Sequence, residues 1–108
     1  MGSSFHAEGR VEIYHLGSWG TICDDYFGIE EANVVCRQLS YSLGAQYWYH
    51  NAHFGMGNGS IWLDDVNCVG NETKLINCKH GGWNNHNCHH FEDVGVICLE
   101  EGRHSYLR

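Results

Sequence analysis

Trp19-Gly20-Thr21-Ile22-Cys23-Asp24-Asp25, together with the segment Ile29 to Ser40 that follows, decides the fold. The first stretch pairs an aromatic and two β-branched residues and reads as a strand that ends on a cysteine and two carboxylates. Just upstream, Val11-Glu12-Ile13-Tyr14-His15 alternates apolar with polar, the period of a half-buried strand. Leu16-Gly17-Ser18 supplies a turn, so Gly9 to Cys23 is predicted to be a hairpin. In Ile29 to Ser40 the period changes. Ala32, Val35, Cys36 and Leu39 fall at helical spacing on one apolar stripe, and Glu30 and Glu31 occupy the first turn, where the helix dipole favours negative charge. Further on, Tyr47 to Gly59 reads as a long loop and Ser60-Ile61-Trp62-Leu63 as a short strand. Asn71 to Cys78 reads as weak helical turns with Leu75 and Ile76 inward. Gly81 to His90 is loop, and Val94 to Cys98 is a closing strand. Strands flanking one helix predict an α+β domain.

The chain has 108 residues, room for one core, with 43% hydrophobic and 18% charged residues, which excludes a disordered tail. No apolar run is long enough to cross a bilayer, so the domain itself is not expected to insert in a membrane. The net charge of -7 excludes nucleic acid as the primary partner, because phosphate binding needs a basic face. Residues 1–8 read as a linker start, 9–99 as the domain and 100–108 as a tail or linker.

Six cysteines stand at Cys23, Cys36, Cys68, Cys78, Cys88 and Cys98, none of them in the close pairs of zinc ribbons or thiol oxidoreductases. A small core leaves little margin of stability, and export is where such a domain gains from cross-links, so the expectation is disulfides and an extracellular setting, secreted or in a cell-surface ectodomain. Spacing alone leaves their pairing open. Asn58-Gly59-Ser60 and Asn71-Glu72-Thr73 fit the N-glycosylation pattern, which makes Asn58 and Asn71 candidate glycan sites in keeping with export.

These blocks resemble the scavenger receptor cysteine-rich family, six-cysteine type. The resemblance runs from Gly9-Arg10-Val11-Glu12-Ile13 through Trp19 to Asp25, Ala32 to Leu39, Phe54-Gly55-Met56-Gly57, Ile61-Trp62-Leu63-Asp64-Asp65-Val66 and Glu92 to Cys98. It implies a curved antiparallel sheet cradling one helix, with bridges Cys23–Cys88, Cys36–Cys98 and Cys68–Cys78. It also implies a further strand ahead of Gly9. The chain starts too late to supply one of the family's form, which would leave a sheet edge open to a second copy or to Ser105-Tyr106-Leu107.

The acidic residues are paired: Asp24-Asp25, Asp64-Asp65 and Glu92-Asp93. Adjacent carboxylates are ordinarily solvated turn residues. The implied Cys23–Cys88 bridge gathers them instead, and crowded carboxylates repel unless a cation sits among them. Calcium, which takes six to eight oxygens, suits carboxylates with an amide carbonyl. By resemblance, Asp24, Asp25 and Glu92 form one calcium site, and Asp64, Asp65 and Asn87 a second. His86, His89 and His90 flank the bridge, and their protonation in mild acid is expected to oppose calcium. A zinc or copper site on those histidines is the weaker reading, since adjacent histidines rarely face one point.

Trp19 and Trp62 are expected in the core. Tyr47, Trp48 and Trp83, with Arg10, are the candidate ligand-contacting residues. No nucleophile elbow, base-paired serine or phosphate loop is present, so no enzyme activity is expected. The functional expectation is an extracellular recognition module of a scavenger-type receptor, taking polyanionic, microbial or host-protein ligands with calcium. The alternative is an accessory interaction domain of a secreted mosaic enzyme, a serine protease or lysyl oxidase relative.

Overall fold

The computed structural model describes residues 7–100. Strands β1 (Ala7–Arg10), β2 (Glu12–His15) and β3 (Ser18–Ile22) precede the helix α1 (Ile29–Gln38), and β4 (Ala45–Tyr49), β5 (Ser60–Leu63) and β6 (Gly95–Cys98) follow it. The class is α+β, as expected, but the strands form two three-stranded sheets. One has the order β1-β6-β4 and is antiparallel throughout; the other has the order β2-β3-β5, with β3 and β5 parallel.

The expected single strand from Gly9 to His15 is therefore two strands. The chain changes sheets at Val11, whose amide donates to Val94 O at 3.0 Å while its side chain is buried. Pairing begins at Ala7, opposite Cys98, so β1 lies beside β6 and starts two residues before the expected Gly9. Residues 101–108, including the Ser105 to Leu107 segment, lie outside the described residues.

A second correction concerns Tyr47 to Gly59. Its first residues belong to β4, which pairs with β6 across a bulge at Ala45/Tyr47. Tyr-Trp-Tyr is strand-favouring, but the Gly, Asn and His content of the residues beyond masks that local signal. From residue 51 to 59 the chain is loop and turn.

Helix α1 starts at Gly28, whose amide donates to the Glu31 carboxylate (2.8 Å). Ala32, Val34, Val35 and Cys36 are buried on its inner face. Leu39, expected on that stripe, is the C-terminal cap residue and is exposed, because the helix ends at Gln38. The core joins this face to Ile22, Leu63, Val66 and Val94, all fully buried. Leu75 enters it from a single 3-10 turn (Leu75–Asn77), whereas Ile76 faces solvent. Trp62 is buried over Gly20, where a β-carbon would collide with its indole. Trp19 is exposed, stacked edge-on to Tyr14 across the hairpin, contrary to expectation.

The three bridges are Cys23–Cys88, Cys36–Cys98 and Cys68–Cys78, the pairing the resemblance implies. Cys36–Cys98 ties the helix to β6, and Cys23–Cys88 ties the end of β3 to the His-rich loop.

Candidate functional site

The site is built where β3 ends. Cys23 pairs across an isolated bridge with Asp93, and the Asp24 amide donates to Glu92 O at 2.9 Å, so backbone pairing alone sets Asp24-Asp25 against Glu92-Asp93. The Cys23 amide also donates to Leu63 O, which brings the following Asp64 alongside. The Cys23–Cys88 bridge adds Asn87.

The two pairs separate: Asp24 follows the Cys23 bridge while Asp25 begins a turn, and Glu92 ends a 3-10 turn (His90–Glu92) while Asp93 pairs with Cys23. Asp25 Oδ2 approaches Cys88 Sγ at 3.7 Å, and one oxygen each of Asp25 and Glu92 lie within 4.8 Å of each other beside the disulfide. Asp25 also lies within 4.8 Å of an oxygen of both Asp64 and Asp65. Asp25 is thus shared by two acidic groups. Asp24 is buried and turns to the β4–β5 loop, where its Oδ2 accepts from the Asn51 amide (2.8 Å) and lies 3.8 Å from His50 Nδ1.

The Asp64 carboxylate is 2% exposed; its Oδ1 accepts from the Asp65 amide (2.8 Å), and the Asn87 amide is a further donor. Together Asp25, Asp64, Asp65 and Asn87 line a polar cleft of about 640 Å³ with Tyr26 and His86. His86 was expected beside this site, whereas Tyr26 was not singled out by the sequence; adjacency to Asp25 was the available signal.

Burial pushes the Asp25 carboxyl above the ordinary carboxylate range, and the charges of Asp64, Glu92, Asp24 and Asp65 push it further in the same direction. Asp64 is raised too: burial and the Asp65 charge outweigh its amide donors and His86. Like charges gathered with few cations disfavour the ionised form, and a bound divalent ion reverses that preference. The donor set of carboxylate oxygens and an amide carbonyl is hard and suits calcium. Asp25, Glu92, Asp64, Asp65 and Asn87 are the residues able to hold such an ion.

The three histidines do not act together. His86 Nδ1 accepts from the Cys88 amide (3.0 Å), His89 stacks on Phe91, and His90 turns to Asp93 (Nδ1 to Oδ2, 2.9 Å) and Gly59 O (Nε2, 3.0 Å). His86 alone bears on the acidic cleft, through Asp64. Asp93, expected as half of an exposed pair, is 1% exposed and also accepts from the Gly57 amide (2.8 Å). It anchors the β4–β5 loop.

The candidate contact residues are scattered. Tyr47 is exposed, with Trp48 beside it at 5.0 Å between ring centroids. Trp83 is half-buried and stacked on His15 at 3.5 Å. Arg10 is held by Glu12 (2.7 Å) and by Gly55 O (3.3 Å). Asn58 and Asn71 are both exposed in loops.

Comparison with known proteins gives a consistent picture. The family model for the scavenger receptor cysteine-rich domain matches residues 1–99. Among curated proteins, the chain is 52% identical to human lysyl oxidase homolog 4 over 100 residues, covering 93% of this chain and 13% of the relative. It is 51% identical to Danio rerio lysyl oxidase homolog 3B over 96 residues, 89% of this chain and 12% of the relative. The chain thus spans about an eighth of the length of these relatives. Among solved structures, the dimeric form of the cysteine-rich domain of mouse MARCO superposes with a TM-score of 0.81 at 46% identity, covering 87% of this chain and 88% of that one. The third such domain of murine neurotrypsin superposes at 0.78 with 49% identity, covering 86% and 88%. No helix among the described residues is long and apolar enough to cross a membrane. Three disulfides with no free cysteine belong to the oxidising, extracellular setting. In sequence, bridge pattern and fold alike, this chain belongs to the scavenger receptor cysteine-rich family, whose domains are non-catalytic interaction modules.

Proposed function

We propose that this domain is a calcium-dependent recognition module carried by a larger extracellular protein of the lysyl oxidase-homolog kind, where it contributes partner contacts rather than chemistry. Of the two settings expected from sequence, receptor and mosaic enzyme, the relatives favour the second, since curated proteins 51–52% identical to it are named lysyl oxidase homologs. One observation carries the calcium reading: Asp25 lies within 4.8 Å of carboxylate oxygens from three other residues, Glu92 on one side and Asp64 and Asp65 on the other. Protein ligands alone leave a calcium ion short of six to eight oxygens. Water completes the shell in the free domain, and an anionic group of a partner replaces it in the complex. This is how a domain of charge -7 takes a polyanionic or carboxylate-bearing ligand.

The test is calcium titrated calorimetrically into the chelator-stripped chain, with magnesium as control. The expected result is a saturable calcium isotherm, stronger than that for magnesium, which Asp25→Asn abolishes. Absence of heat up to millimolar calcium overturns the reading, as does an isotherm that Asp25→Asn leaves unchanged.

A further inference from the structure

A second concave surface lies along the other end of the fold. A groove of about 620 Å³ runs beside every residue from Ala7 to Ile13, with Val35, Leu39 and Tyr41 among the residues lining it from α1 and its C-terminal turn. Both strands on its near side are sheet edges: β1 is the outermost strand of one sheet and β2 of the other. Among the described residues no strand pairs with their outer sides. Unpaired backbone donors and acceptors therefore border an apolar trough, over seven residues or roughly 23 Å of extended chain. A trough between a strand edge and a helix is the setting in which an extended peptide adds as a further strand, with alternate side chains entering the trough.

The charges favour one kind of occupant. Glu8 and Glu12 line the groove, and Arg10, its lining cation, is engaged by Glu12 and Gly55 O. Glu8 is exposed. The chain as a whole carries -7, which opposes docking of a second copy onto this edge and favours a cationic partner. Trp19, 61% exposed, and Leu39, 60% exposed, also line the groove and offer apolar surface to a bound segment.

We propose that the β1–β2 edge and its groove bind an extended peptide segment in which basic residues alternate with apolar ones, by strand addition. The apolar side chains fill the trough against Val35 and Leu39, the basic ones reach the exposed Glu8, and the peptide backbone pairs with β1 and β2. The site is separate from the acidic cleft and does not use its calcium.

The test titrates an acetylated alternating lysine–valine peptide of about eight residues into the isotopically labelled chain in excess chelator, following backbone amide shifts by NMR. The expected result is saturable shifts concentrated on Ala7 to Ile13, with slowed amide exchange on that edge. Glu8→Lys weakens binding about threefold to fivefold. Leu39→Gln, at an exposed position whose loss spares the core and which adds no charge, weakens it about tenfold. Equal binding of the glutamate–valine peptide overturns the charge argument and with it the proposal. Equal binding of a backbone N-methylated lysine–valine peptide overturns strand addition. Shifts on the same edge that depend on chain concentration without peptide assign the groove to a second copy. The same shifts produced by truncation after Glu100 assign it to the chain's own residues 101–108. Either result replaces the proposal. Because chelator is present throughout, failure here is distinct from failure of the calcium reading.

Discussion

Asp25→Asn is the substitution that separates a metal nest from an ordinary acidic surface, because it is expected to act in opposite directions with and without calcium. Asp25 is the carboxylate common to both acidic groups, within 4.8 Å of oxygens on Glu92, Asp64 and Asp65. Two unit charges at that distance repel by about 0.9 kcal/mol at the dielectric of water and about 3.5 kcal/mol at an effective dielectric of 20. Asp25 is partly exposed, so solvent screening places each pair near the lower figure. Salt, with a Debye length of about 8 Å, cuts each of the three repulsions roughly in half again, so removing the Asp25 charge relieves about 1–2 kcal/mol in the metal-free domain. For a domain of this size each kcal/mol is worth roughly 4–8 °C in Tm. The variant should melt several degrees above the parent in chelator. With calcium at about a hundred times its dissociation constant, the parent gains about 2.7 kcal/mol by mass action, and the variant, deprived of the shared ligand, gains little. The order of the two melting curves should then invert. Differential scanning calorimetry of both proteins, in chelator and in millimolar calcium, reads this directly. A variant that melts lower than the parent by the same amount in both conditions refutes the reasoning, because Asp25 would then be a structural acceptor and not a metal ligand.

Other substitutions test how the fold holds the site. His90 is pushed down by burial but raised more by the Asp93 carboxylate and Gly59 carbonyl, so its folded value exceeds the unfolded one. The stability it contributes is complete below about pH 6.5 and is lost as pH rises through the raised value. The gap in denaturation midpoint between parent and His90→Gln should accordingly narrow from pH 5.5 to pH 8.5, and a gap independent of pH counts against an ionic His90–Asp93 pair. Glu31 is 4% exposed and accepts from the Gly28 amide (2.8 Å) and the Cys68 amide (2.7 Å), joining the helix start to the Cys68 loop. Glu31→Ala should cost about 3–5 kcal/mol in urea unfolding, through two lost charge-assisted bonds and a stranded buried donor, and a loss under 1 kcal/mol contradicts that role. The bridges should rank by loop length: removing Cys36–Cys98, which closes 62 residues, should cost about 4 kcal/mol, and removing Cys68–Cys78, which closes 10, about 2.5 kcal/mol. Equal losses for the paired serine variants would mean that strain, not loop entropy, governs them.

What the primary structure determined by itself was local period and chemical inventory. The helix, the β2–β3 hairpin, β5 and β6 were legible because each keeps its apolar spacing in a short window. The bridge pattern followed from family resemblance, since spacing leaves the pairing open. Tertiary structure decided what depends on contacts distant in sequence. The chain crosses between sheets at Val11 because Val94 O is there to receive its amide. β3 and β5 run parallel because the chain between them passes through the helix and through β4 of the other sheet before it returns. Asp93 looks like any turn carboxylate in sequence, yet it is buried because Gly57 and His90 converge on it. The same holds at the acidic cleft: adjacency announced three carboxylate pairs, but only the fold separates Asp24, which braces a loop, from Asp25, which faces two other acidic groups. Asp24 follows the end of β3 and Asp25 begins a turn, and which of them meets the loop and which the cleft is settled by packing, not by adjacency in sequence.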